Sequence, residues 1–167
     1  MNNYQLTGIL VDAELFRRLR LRGDARGQER GGIDDYVTAL SMVTGEPFSQ
    51  MRDEGGAWIV GGDRIDHHAT TAIIDVAHIV NMYALAAGDT VSARAAADIA
   101  RIAMPADEVH RLDLAATDAA EGRTDDVHRT IVKDVCNRSD DGFPPMELSP
   151  RTKQILAHHR DWLSRAS

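Results

Sequence analysis

Residues 65–122 read IDHHATTAIIDVAHIVNMYALAAGDTVSARAAADIARIAMPADEVHRLDLAATDAAEG, and this stretch decides the fold. Ile65, Ala69, Ala72, Ile73, Val76, Val80, Tyr83 and Ala87 recur at spacings of three and four, the period of one helix face. Ile74, Ile79 and Leu85 widen the stripe, so this helix should be central and contacted on several sides. Gly88 stops it, and Asp89 or Thr90 caps a second helix over about Val91 to Met104. Pro105 then opens a third, with Asp107 and Glu108 in a first turn where the helix dipole favours acids. Val109, Leu112, Ala116 and Ala119 form its apolar face, and Gly122 stops it. Gly88 and Gly122 stand 34 residues apart, each between two amphipathic helices. A helix-turn-helix unit of that period is the tetratricopeptide signature. Ala93 and Ala100 supply the small residues that let the second helix cross its neighbours closely. The expected fold is all-α: tetratricopeptide-like stacked helix hairpins, with four helices between Ile65 and Val135.

Outward from this centre the chain stays helical. After Gly122, Thr124 caps a helix whose face is Val127, Ile131 and Val135. Residues 137–148 are polar with two prolines and read as a loop. Ser149-Pro150 is a capped helix start, and Ile155, Leu156, Trp162 and Leu163 are the buried side of the last helix. Toward the N-terminus, residues 48–64 form a long loop with Gly55, Gly56, Gly61 and Gly62. Trp58 in its middle is expected to anchor it on the helical body. Before it lies a helix over about Ile33 to Val43, with Val37, Leu40 and Met42 apolar. An earlier one starts at Asp12 as N-cap, with Leu15, Phe16 and Leu19 apolar, and fades near Gly27. Met1 to Val11 carries strand formers (Tyr4, Leu6, Ile9, Val11) and reads as a short strand remnant.

Composition narrows the function classes. A net charge of -7 repels a phosphate backbone, so the chain as a whole is not expected to bind nucleic acid. Cys136 is the only cysteine and forms no internal disulfide, which suits a reducing, cytoplasmic setting. No signal-peptide pattern opens the chain, and this segment is expected to make no membrane contact.

Four stretches carry a resemblance. They are Val11-Asp12-Ala13-Glu14-Leu15-Phe16-Arg17-Arg18-Leu19, Ala39-Leu40-Ser41-Met42-Val43-Thr44-Gly45-Glu46-Pro47-Phe48, Ala84-Leu85-Ala86-Ala87-Gly88-Asp89 and Ala119-Ala120-Glu121-Gly122. Together they resemble the bacterial transcriptional activation domain, a helical module common in actinobacterial regulators. In such regulators the module follows a winged-helix DNA-binding domain, and Tyr4-Gln5-Leu6 resembles the end of that domain's wing. The resemblance thus implies residues 1–11 as the end of a preceding domain and 12–167 as the helical module. The loops at 55–62 and 136–148 resemble a subset that also carries a peptidoglycan-binding LysM module and membrane segments, which implies a membrane-anchored parent. The implied role is regulatory and non-enzymatic, without a cofactor. The implied partner is a protein or another domain of the same chain, with DNA reached only through the winged helix.

Some residues could carry chemistry. His68, Thr71, Asp75 and His78 make a polar stripe out of place on so apolar a helix, so it is expected to line a partner-binding groove. Asp75 should favour the charged form of His78, three residues on. A helical metal-binding enzyme is the competing reading, but His68 and Asp75 are roughly 10 Å apart along the axis, and Asp75 with His78 needs a third ligand. Arg17, Arg18, Arg20, Arg22 and Arg26 form a basic cluster that can contact DNA phosphates or a partner, or pair with acids such as Asp34 and Asp35. Residues 137–142 imitate the start of a calcium loop, but Leu148 falls where the last ligand belongs. The sequence contains no phosphate-binding glycine loop and no recognisable nucleophile motif.

Overall fold

A computed structural model describes residues 11–49, 64–123, 127, 130 and 148–158, and no strand occurs among them. The chain divides into two compact units, Met1–Val43 and Thr44–Ser167.

The first unit is a helical hairpin. Helix α1 spans Asp12–Arg26, a short 3-10 turn covers Gln28–Arg30, and α2 spans Gly32–Leu40. Phe16 and Leu19 of α1 are buried, as are Ile33, Tyr36, Ala39 and Leu40 of α2. Helix α1 starts at Asp12 itself, one residue earlier than Asp12 as a cap requires. Val11 holds the extended cap position, and the Asp12 carboxylate accepts from the Ala13 N–H at 2.8 Å. Val37, read as apolar core, is exposed.

The second unit is built on the predicted central helix, α3, spanning Ile65–Ala86. It packs against α4 (Thr90–Ala103) and α5 (Val109–Ala120), and α6 (Pro150–His158) rests on α5. Gly88 and Gly122, both at positive φ (76° and 82°), end α3 and α5. A side chain at either is strained in that conformation, so the 34-residue repeat of glycines has a backbone cause. Asp89 caps α4 by accepting from the Ser92 N–H at 3.0 Å. Ala93 and Ala100 are fully buried, as the close crossing of α4 over its neighbours requires.

Two boundaries move. Pro105 does not open α5. The Asp107 side chain accepts from the Val109 N–H at 2.8 Å, so the helix starts at Val109 and Asp107 and Glu108 precede it. Ile65 and Tyr83 of the predicted core stripe are exposed. At 22 residues α3 is about 33 Å long, against about 21 Å for the 14 residues of α4, so α3 is the longer by about two turns. In its first turns Asp66 and Thr70 are buried while Ile65, His67 and His68 are exposed.

Helix α3 is also long and apolar enough, by length and composition, to cross a membrane. In this unit it is the packed core helix, with Ile74, Val76 and Ala77 almost fully covered. Val127 is helical and buried, in line with the expected fourth helix. Of the strand read at Met1 to Val11 only Val11, the extended cap residue of α1, is described; the anchor at Trp58, the calcium-like loop, Cys136, Trp162 and Leu163 lie outside the described residues.

Candidate functional site

The polar stripe of α3 runs from open solvent into the packing. His67 and His68 in the first turn of α3 are exposed, with ring centroids 6.3 Å apart. Thr71 is half-buried. Asp75 and His78 reach neighbouring helices. Asp75 pairs with the guanidinium of Arg151 on α6, and the two side chains keep 35% and 38% exposure. His78 Nδ1 lies 2.7 Å from Oδ1 of Asp113 on α5. The two pairs therefore differ in kind: one sits at the surface, the other reaches the core.

Asp113 is fully buried, and the His78 side chain is 20% exposed. The second oxygen of Asp113 has no hydrogen-bond partner. Burial pushes the Asp113 carboxyl up from its ordinary value, and the hydrogen bond from His78 opposes that rise. With Asp113 ionised, Nδ1 of His78 is the donor, which fixes the tautomer of a neutral ring. The carboxylate seated on His78 is therefore one brought from α5, where the sequence reading looked to Asp75 three residues away.

Behind this pair lies a buried polar layer. Asn81 Nδ2 donates to the Ala93 carbonyl at 2.9 Å and to Thr117 Oγ1 at 3.1 Å. Thr117 Oγ1 in turn donates to the Asp113 carbonyl at 2.8 Å. One amide thus links α3, α4 and α5 at a single level of the stack. His110, one turn before Asp113, is 2% exposed, and no group bonds its Nδ1. Burial pushes its pKa down to about 4, so the ring is neutral at neutral pH. None of Asn81, His110, Asp113 and Thr117 stood out in the sequence. The available signal was their register: Asn81 is in line with Ile74, Ala77 and Ala84, and Asp113 with Val109 and Ala116.

At the edge of the site, α6 is held by polar groups. Ser149 caps it, its Oγ accepting from the Thr152 N–H at 3.1 Å. The buried hydroxyl of Thr152 donates to the Glu108 carboxylate, and Ile155 is buried. Glu108 can reach α6 because it stands just ahead of α5 rather than inside its first turn. Lys153, Gln154 and Ala157 face outward.

The arginine cluster of α1 is largely engaged with carboxylates. Arg17 and Arg18 bond Glu14 at 2.7 and 2.8 Å, and together they hold the Glu14 carboxyl down at about 2. Arg22 forks onto Asp35 of α2 at 3.0 and 2.5 Å, and Arg26 lies 3.2 Å from the same carboxylate. Arg20 takes part in a further interaction of its own. Of the two acids the sequence suggested, Asp35 is the partner, and its side chain is almost completely covered.

Among the described residues no group of three His, Cys, Asp or Glu side chains is placed to hold a metal ion. Comparison with protein-family models, with curated proteins and with solved structures returns no match. The site is therefore understood from its own geometry.

Proposed function

We propose that this chain is a regulatory module that binds protein through the polar face of α3, of the kind the resemblance to the bacterial transcriptional activation domain implies. The observation that carries the reading is the seating of Arg151 on Asp75. A guanidinium from another helix already docks on this face, at a pair exposed enough to open to solvent. The open end of the stripe, at His68 and Thr71, offers further groups that hydrogen-bond a peptide. Helical hairpins stacked in series usually work by such surfaces. The reading assigns the chain no reaction and no cofactor. It places the partner in the cytoplasm, as a protein or another domain of the same full-length chain. Contact with DNA backbone by α1 is disfavoured, because Arg17, Arg18, Arg22 and Arg26 are engaged by Glu14 and Asp35.

The test uses a partner captured on the immobilised full chain, with its affinity then measured for the parent, Asp75→Asn and His68→Ala. His68 is exposed, so His68→Ala should leave the thermal midpoint unchanged, while Asp75→Asn, which weakens the part-exposed pair with Arg151, should lower it only slightly. Each is expected to weaken binding about tenfold, the scale of one lost charged or polar contact. Equal affinity for all three proteins, with binding lost instead on replacing arginines of α1, would overturn the proposal.

A further inference from the structure

Helix α6 sits on the site as a built-in occupant. Among the described residues, its charged contact with α3 lies at the surface. Arg151 on Asp75 is a pair more than a third exposed on both sides, the class of ion pair that contributes least. Thr152 on Glu108 and the side chain of Ile155 are its buried attachments among the described residues. The receiving face keeps its character whether or not α6 is seated: Asp75 and Glu108 present two carboxylates, with Asp113 buried behind His78. Such a face selects a basic residue.

We infer that the face of α3 and α5 under α6 is a docking surface for a helical segment of a partner, carrying an arginine, a hydroxyl residue next to it and an aliphatic residue four positions on. Arg151, Thr152 and Ile155 display that chemistry in place, and the partner segment takes it over by displacing α6. The arginine supplies the fork for Asp75, the hydroxyl donates to Glu108, and the aliphatic residue fills the seat of Ile155. Occupancy by α6 lowers the apparent affinity for the partner by the fraction of molecules in which the site is closed. This inference rests on the proposed use of the α3 face, but its test needs no partner.

The probe is a fluorescent peptide with the sequence of residues 148–158, titrated into the full chain. The receptors are the parent and Arg151→Glu/Thr152→Val, with Arg151→Ala as a milder form. The double variant is expected to bind the peptide at least tenfold more tightly than the parent, with Arg151→Ala between them. Adding Asp75→Asn to the double variant should return the affinity to the parental level. Hydrogen exchange should show faster exchange in α6 of the double variant, with α3 to α5 protected as before. Equal peptide affinity in parent and variant would overturn the inference. So would unchanged protection of α6, because the two pairs would not then be what holds it. A dimer of the double variant that fails to take up peptide would assign the face to a second copy of the chain instead. If the peptide binds as expected while captured partners ignore Asp75, the docking chemistry stands and the proposed function falls.

Discussion

Lowering the pH from about 7.5 to about 5 should weaken the second unit measurably, and His110 is the group responsible. Its ring is 2% exposed on α5, and its Nδ1 has no bonded neighbour. Desolvation is the largest cause of its depressed pKa. Arg111 and Arg101 push in the same direction, and Asp107 and Asp98 oppose them. In the unfolded chain the ring titrates near 6.5, while in the folded protein it titrates at about 4. Between those values the unfolded state binds the extra proton, so stability falls as pH falls through this window. It is full above about 6.5, and the loss levels off below about 4. The whole shift corresponds to about 3 kcal/mol, of which about 2 kcal/mol is lost between pH 7.5 and 5. Urea unfolding followed by circular dichroism at several pH values measures it, with His110→Leu as the control that cannot titrate there. Other titrating groups are common to both proteins and cancel in the difference. The parent should lose about 2 kcal/mol more than the variant over this interval. Parallel pH dependence of the two proteins would refute the burial argument for His110.

Three further outcomes follow from the packing. Ala100→Leu should lower stability by about 1–3 kcal/mol, because the alanine is fully covered where α4 crosses its neighbours; an unchanged melting midpoint would mean the crossing is looser than described. His78→Ala should cost about 2–4 kcal/mol by leaving Asp113 buried without its partner, and His78→Ala/Asp113→Leu should recover much of it; additive losses in the double-mutant cycle would show the two side chains do not interact. The Asp35 carboxyl is held below its ordinary value first by Arg22, so its contribution to the hairpin is present above about pH 4 and lost as pH falls through its folded value. NMR titration should show Arg22→Gln moving that midpoint upward, and an unmoved midpoint would contradict the forked bond.

The helices of the second unit were legible because their signals are local. Eight apolar residues at spacings of three and four mark α3, and Gly88 and Gly122 mark two stops that need positive φ. Asp89 and Ser149 cap as their positions suggest. The start of α5 was not legible, since Pro105 is a good first helical residue and Asp107 is equally able to cap from outside. The candidate site was half legible. Its odd polar residues on α3 stand out in sequence, but their partners do not. Asp113 comes from 35 residues beyond His78, and Arg151 from 76 beyond Asp75. Such pairings are set by the register of one helix on another, which no local spacing encodes. Asn81 hid for a different reason: it occupies an apolar position of the stripe, where its amide serves neighbouring helices rather than solvent.

The central claim is that a partner docks on the polar face of α3 at the position α6 holds. Hydrogen exchange of the full chain, with and without saturating captured partner, tests it most directly. The account predicts new protection over residues 68–78 and 108–113, together with faster exchange over residues 150–158 as α6 is displaced. Protection confined to α1 and α2, with α3 and α6 exchanging as in the free chain, would contradict it.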